Sequence, residues 1–282
     1  MANRKIKAEQ IISKTYNLIK TCNSVLPEDI YDDISLCKTK TSNQQEKRFL
    51  EIIHENAKIG NDSELPLCQD NGISIFFIEM RKIEIEGDKH IEELLNESVA
   101  KVYSEKNLRP SIMDDPLIGK NSGNNLPAFI HIEHTNSEQL KISYLAKGGG
   151  SENASATKML NPSDGFEGIK KFILDLVKEK GPNACPPLII GIGVGGTLDQ
   201  AVISSKKALL RKIGNRNKKP YYATKELELK EELNSLNIGA MGLGGECSVL
   251  DVFIEEKPRH IATLPVAVSI LCHSARRGEI VI

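Results

Sequence analysis

The chain has 282 residues, enough to bury a core in one large or two smaller domains. Hydrophobic residues make up 40% and charged residues 27%, an ordinary globular balance, and a net charge of −1 argues against a nucleic-acid or anionic-membrane partner. Trp is absent and aromatics reach only 5%, so the core must be built from Ile, Leu, Val and Ala.

In chain order, Met1–Lys20 mixes charged and apolar residues at helical spacing and lacks the apolar stretch of a signal peptide. No apolar run reaches the roughly 18 residues that span a bilayer. The expected setting is the cytoplasm, where six sparse cysteines stay reduced. The first sixty residues read as helical: Ile6, Ile11, Ile12, Tyr16 and Ile19 fall near i, i+4 and i+7 steps, and a second stretch runs over 44–57. A strand is predicted at 73–78 and an amphipathic helix at 91–103. Turn formers throughout 109–127 predict an ordered loop. Strands near 128–134 and 140–146 run into Gly148-Gly149-Gly150, and 154–160 has helix-forming composition. A helix over 165–180 leads to Cys185, and a buried strand over 187–192 enters a Gly-rich bend that a helix over 198–212 leaves. The polar stretch 214–220 is the most linker-like. A helix over 225–236 and strands near 248–255 and 261–270 complete an α/β (mixed α+β) chain with a helical N-terminal part and interleaved strands and helices.

The Gly-rich bend invites a nucleotide reading that the chemistry rejects. Gly191, Gly193 and Gly196 satisfy G-x-G-x-x-G between strand and helix, but a dinucleotide site also wants an acid about 20 residues on. From Gln200 to Lys225 there is no Asp or Glu, and no Gly-Lys-Ser/Thr follows. A tight strand-to-helix turn near an anion, such as a carboxylate substrate, fits better. In Lys147-Gly148-Gly149-Gly150-Ser151-Glu152-Asn153, consecutive glycines allow a ligand or a backbone to approach closely.

Three cysteines stand in separate turns: Cys68 in Pro66-Leu67-Cys68-Gln69-Asp70-Asn71-Gly72, Cys185 in Asn183-Ala184-Cys185-Pro186-Pro187, and Cys272 in Leu271-Cys272-His273-Ser274-Ala275-Arg276-Arg277. Without a C-x-x-C, a zinc ribbon or ferredoxin-type run is excluded, and any inorganic centre would be assembled by the tertiary fold. Three thiolates could hold such a centre and leave one position open. Cys22 and Cys37 read as ordinary core or surface positions, and Cys247 follows Gly244-Gly245-Glu246. Arg109, Arg276 and Arg277 are candidate carboxylate forks, although an Arg pair near a C-terminus is usually solvated. His260 and His273 are possible acid–base or orienting groups.

Taken together and in this order, the Cys68 motif, the Lys147 motif, Cys185-Pro186-Pro187 running into Gly191–Thr197, and Leu264–Val268 before Cys272 resemble the α subunit of the iron–sulfur-dependent class I hydro-lyases, fumarate hydratase and L-tartrate dehydratase. The likeness runs from about residue 10 to the end. It implies that Cys68, Cys185 and Cys272 ligate a [4Fe–4S] cluster with one open iron, and that Gln69 and Asp70 form the catalytic pair. It also implies that Arg109, Gly149, Gly150 and Arg276 face a small dicarboxylate. His260 lies in a family motif, while Gly244–Cys247 departs from the Gly-Gly-Lys-Thr-like sequence expected there. By the same resemblance residues 1–282 form one cluster-binding α subunit, in one or two subdomains, of the fold of the N-terminal region of fused class I fumarases. The remaining domain belongs to a separate β subunit, in an α2β2 assembly. Fumarate hydration is the leading expectation, with L(+)-tartrate dehydration next and a non-catalytic iron–sulfur sensor as the reading from another class.

Overall fold

A computed structural model describes residues 4–136 and 138–282; the first three residues of the N-terminal stretch lie outside the described part. The elements in chain order are β1 (Arg4–Lys7), α1 (Ala8–Ser24), α2 (Glu28–Lys40), α3 (Gln44–Ser63), β2 (Ile73–Met80), β3 (Ile83–Glu86), α4 (Ile91–Glu105), β4 (Phe129–His134), β5 (Lys141–Lys147), α5 (Gly149–Asn153), β6 (Ala156–Leu160), α6 (Gly165–Lys180), β7 (Leu188–Gly195), α7 (Leu198–Ala208), α8 (Pro220–Asn234), β8 (Val249–Lys257), β9 (Leu264–Leu271) and β10 (Arg277–Val281). The mixed α/β class and the helical N-terminal part are as expected. No helix among the described residues is long and apolar enough to cross a membrane.

Two compact units each carry a sheet and a core. The first comprises the chain to Pro27, Ile59–Gly149 and Arg276–Ile282. Its sheet has the order β10-β5-β2-β4, with β2 parallel to β4 and antiparallel to β5. α1 buries Ile11, Leu18, Ile19 and Cys22 on one stripe, as its helical periodicity dictates, against Leu94, Val99 and Val102 of α4. Ile6 is not helical. Lys5, Ile6 and Lys7 alternate in and out, and β1 pairs in parallel with β3.

The second unit comprises Glu28–Lys58 and Gly150–Ala275, with sheet order β6-β9-β7-β8. β7 is buried along its whole length, which suits a strand covered on both faces. Its glycines are there for packing. A Cβ on Gly191 would lie 2.2 Å from the Ser205 carbonyl oxygen, and one on Gly193 1.9 Å from that of Ala201, so α7 rests directly on the strand.

Several expectations are corrected. Residues 156–160 form a strand, not a helix: β6 pairs antiparallel with β9 from Ala156↔Val268 to Leu160↔Leu264, and that ladder overrides the helical propensity of Ala, Lys, Met and Leu. The stretch 214–220 is no linker. Gly214 N–H donates to Asp251 (2.8 Å), Arg216 pairs with the same buried carboxylate, and Asn217 donates to the Ile254 carbonyl (2.8 Å). Arg276 and Arg277 are not solvated; they are 2% and 7% exposed, because Arg277 opens β10 opposite Leu145 of β5 and the Arg276 carbonyl just before it accepts from Ala146 N–H (2.9 Å). Cys37 and Cys247 are joined in a disulfide, so the cysteines are not all free thiols.

Candidate active site

In the first unit, the turn between α3 and β2 presents Cys68. Leu67 anchors it by burying its side chain and donating its N–H to the Asn23 carbonyl (2.8 Å). The Asp70 N–H points at Cys68 Sγ (3.4 Å), and Gln69 is exposed beside it. Both carboxylate oxygens of Asp70 are engaged: Oδ1 accepts from Gly72 N–H (3.0 Å) and Oδ2 from Gly149 N–H (2.7 Å). Asp70 therefore pins the Cys68 turn to the start of the glycine run.

Glycine is required at one end of that contact, and the other end is crowded. Gly72 has φ +72°, and a Cβ there would lie 2.5 Å from the Lys147 carbonyl oxygen. A Cβ on Gly148 would sit 3.0 Å from Asp70 Oδ2 and 3.5 Å from Arg276 Nη2. Arg276 is the largest fully buried side chain, and its Nε and Nη1 have no hydrogen-bond partner among the described residues. A buried guanidinium with unspent N–H groups is costly until an acceptor reaches it.

Three residues that sequence reasoning passed over organise this region. Asn71 donates to the Cys68 carbonyl (3.3 Å) and accepts from Arg109 N–H (2.7 Å), tying the Arg109 loop to the cysteine turn. Asn125 donates to the Gly72 carbonyl (3.2 Å) and accepts from Ser111 N–H (2.7 Å). The Tyr103 hydroxyl lies 3.2 and 3.1 Å from the Asn71 and Gly72 carbonyls, and burial raises its pKa. Asn71 stands inside the Cys68 motif and Asn125 in the turn-forming stretch 109–127. Tyr103 gave no signal, because on its helix it looks like any core position. The Arg109 side chain is exposed.

In the second unit the sheet register sets the other two thiols. β7 pairs antiparallel with β9, Ile189 opposite Leu271, so the chain entering β7 runs beside the chain leaving β9. Cys185 precedes the first strand and Cys272 follows the second. His273 closes the gap: its backbone N–H (3.3 Å) and Nδ1 (2.9 Å) both reach the Cys185 carbonyl. A carbonyl only accepts, so Nδ1 carries the proton there. Cys185 itself is exposed, in the left-handed region at φ 53°. Gly150 backs this turn; a Cβ on it would lie 3.0 Å from the Asn183 carbonyl oxygen. His260 stands elsewhere in the unit, on an open cleft of about 390 Å³ with Gly196, Thr197 and Arg259.

Cys68, Cys185 and Cys272 are in no disulfide and none is fully buried, whereas Cys22 is a buried core residue. Among the described residues, no three His, Cys, Asp or Glu side chains are grouped so that they could hold one metal ion.

Comparison with known proteins adds the following. The fumarate hydratase (Fumerase) family profile matches residues 12–281. A protein of Methanocaldococcus jannaschii, provisionally named L(+)-tartrate dehydratase subunit alpha, is 45% identical over 259 residues, 90% of each chain. The L(+)-tartrate dehydratase subunit alpha of Escherichia coli strain K12 is 30% identical over 285 residues, 100% of this chain and 93% of its own. That of Escherichia coli strain UTI89 is 31% identical over 283 residues, 99% and 93% respectively.

Proposed function

Because the chain belongs to the fumarate hydratase (Fumerase) family of hydro-lyases, we propose that it is the cluster-binding α subunit of a two-subunit enzyme that adds or removes water on a four-carbon dicarboxylate. The observation that carries the reading is Arg276: a buried guanidinium whose Nε and Nη1 have no hydrogen-bond partner among the described residues, beside Asp70 and Gly148. A dicarboxylate supplies the anionic acceptor that such a group lacks.

Cys68, Cys185 and Cys272 would hold a [4Fe–4S] cluster. The donor set fits: the three cysteines are in no disulfide, none is fully buried, and an N–H points at Cys68 Sγ. A cluster takes one thiolate on each of three irons, so its ligands need not converge on a single point as those of a mononuclear ion do. When bound, it supplies an open iron, a Lewis acid for the hydroxyl that enters or leaves. The rest falls to the polypeptide. Arg276 and Arg109 hold substrate carboxylates, and the turn Gly148–Gly150 admits the substrate against bare backbone. Asp70, with both oxygens occupied by Gly72 and Gly149 N–H groups, orients that turn, and Gln69 stands exposed beside Cys68 as a contact for the substrate.

The group that moves the carbon-bound proton belongs, in this reading, to a separate β subunit, and two copies of each chain assemble as α2β2 in the cytoplasm. Two substrates fit the same chemistry. Fumarate–malate interconversion accords with the family's description, and L-tartrate dehydration to oxaloacetate with the names of the relatives. Anaerobic reconstitution with iron and sulfide, addition of the β subunit, and assay of fumarate, malate and both tartrate enantiomers separates them. Turnover of one pair that needs both chains supports the reading and names the substrate; a bound cluster with no turnover turns it toward a sensor. Ser at Cys68, Cys185 or Cys272 should each abolish the cluster's absorbance, near roughly 400 nm for thiolate-ligated iron, while Cys22→Ser should keep it.

A further inference from the structure

Glu46 has no exposed surface, and nothing in the hydro-lyase reading uses it. It lies in the first turn of α3, and its carboxylate is filled by four neutral donors. Oε1 accepts from the backbone N–H of Ala240 (3.1 Å) and Cys247 (2.9 Å); Oε2 accepts from Glu246 N–H (2.8 Å) and the Thr41 hydroxyl (2.5 Å). Three of the four are backbone groups of one loop, between α8 and β8. A charge buried this deeply needs such a donor set, and equally the loop needs the charge.

The loop's backbone shows why. Gly239, Met241, Gly242, Gly244 and Gly245 all have positive φ, and Met241 does so without the freedom of glycine. Of its side chains only Ala240 and Cys247 are buried, so little apolar packing fixes it. Gly245 lies so close to Glu46 that a Cβ there would be 2.3 Å from the carboxyl carbon. The loop is moulded around the carboxylate.

Its far side bears on Cys185. Met241 N–H donates to the Pro186 carbonyl (2.8 Å), and a Cβ on Gly242 would meet the Pro182 carbonyl oxygen at 2.8 Å. The loop thus brackets the turn on both sides of Cys185, itself at positive φ, while His273 holds its carbonyl. We infer that Glu46 is a positioning residue for Cys185, acting through the 239–247 loop to hold this thiol where it can ligate the cluster. The inference rests on the proposed ligand role of Cys185.

The test uses the full chain under thiol reductant, so that the Cys37–Cys247 bond does not hold the loop by itself. Hydrogen–deuterium exchange on the cluster-free chain should show Glu46→Gln raising exchange about tenfold both in 240–247 and at the amides of Asn183, Ala184 and Cys185, the turn before the two prolines, with the first unit unchanged; the lost charge-assisted bonds set that scale. After reconstitution, E46Q should lose its visible absorbance to an iron chelator about tenfold faster than wild type and show an altered visible circular dichroism, and Glu46→Asp should restore part of both. Faster exchange confined to 240–247, or chelator loss at the wild-type rate, overturns the inference. Should E46Q fail to fold, Thr41→Val removes one donor from the carboxylate and should speed cluster loss about two- to threefold; an unchanged rate there overturns it as well. Cys185→Ser is the separate arm: a complete cluster in that variant sinks the ligand reading itself, whatever the exchange data show.

Discussion

Asp70 and Arg276 flank Gly148 with opposite charges and unequal occupancy. Asp70 has a donor on each oxygen, whereas Arg276 Nε and Nη1 have no hydrogen-bond partner among the described residues. Replacing Asp70 by Asn puts an NH2 group opposite an N–H. The glycine turn should loosen, and kcat/KM of the reconstituted two-chain enzyme should fall about 10²-fold with iron and sulfide content unchanged. Arg276→Lys keeps the charge but loses the planar fork, so KM for the dicarboxylate should rise about tenfold in steady-state assays. The thiols divide in the same way. Burial pushes Cys22 up to about 12, with Arg277 pulling it back only partly. At pH 8 the native, cluster-free chain should therefore alkylate at exposed Cys185 within minutes and leave Cys22 unmodified for hours, as read by mass spectrometry. Comparable labelling of Cys22 would show that the core around α1 opens on that timescale.

At the level of elements, what was legible in the sequence is what local pattern encodes. The helix over 165–180 was read to the residue, and the strands at β2, β4 and β5 to within a residue or two, because each carries an uninterrupted period or an apolar run bounded by turn formers. β6 and β10 were not, since each is a strand only by virtue of its partner: β9 for the first and β5 for the second. The candidate site followed the same division. Cys68, Asp70 and the glycine run were visible as motifs, whereas Glu46, Tyr103 and Asn125 matter through carbonyls and N–H groups far along the chain that no spacing rule reveals. The Gly-x-Gly-x-x-Gly pattern was visible and its cause was not. Two of its glycines exist for helix contact, so Gly193→Ala should cost more than about 3 kcal/mol by denaturant unfolding, since the intruding methyl meets backbone rather than a yielding side chain. The Cys37–Cys247 disulfide ties α2 to the start of β8 across 210 residues of chain. Cys37→Ser should lower stability by about 2–4 kcal/mol in the absence of reductant and leave it unchanged in its presence.

The connectivity of the whole molecule has a consequence for how it can be divided. Neither unit is a continuous stretch: the first takes three segments of chain and the second two. The crossings at Gly149–Gly150 and Ala275–Arg276 fall inside the glycine motif and inside the Cys272 motif, so an apparent domain cut would sever residues that belong to one signature. The second unit also depends on the early segment Glu28–Lys58. From it come Glu46, Cys37 and Asp29, whose carboxylate accepts from Ile213 N–H (2.8 Å). A fragment of residues 150–275 alone would leave the N–H groups of Ala240, Glu246 and Cys247 without their acceptor and the 239–247 loop without a reason for its backbone. It should therefore be insoluble, or collapse to a state with secondary structure but no cooperative melt. Joining residues 28–58 to its N-terminus through a flexible linker should restore a single cooperative transition in calorimetry. A cooperative melt of the bare fragment would show that the apolar core around β7 suffices without the carboxylate, and would weaken the case that Glu46 governs the cysteine turn.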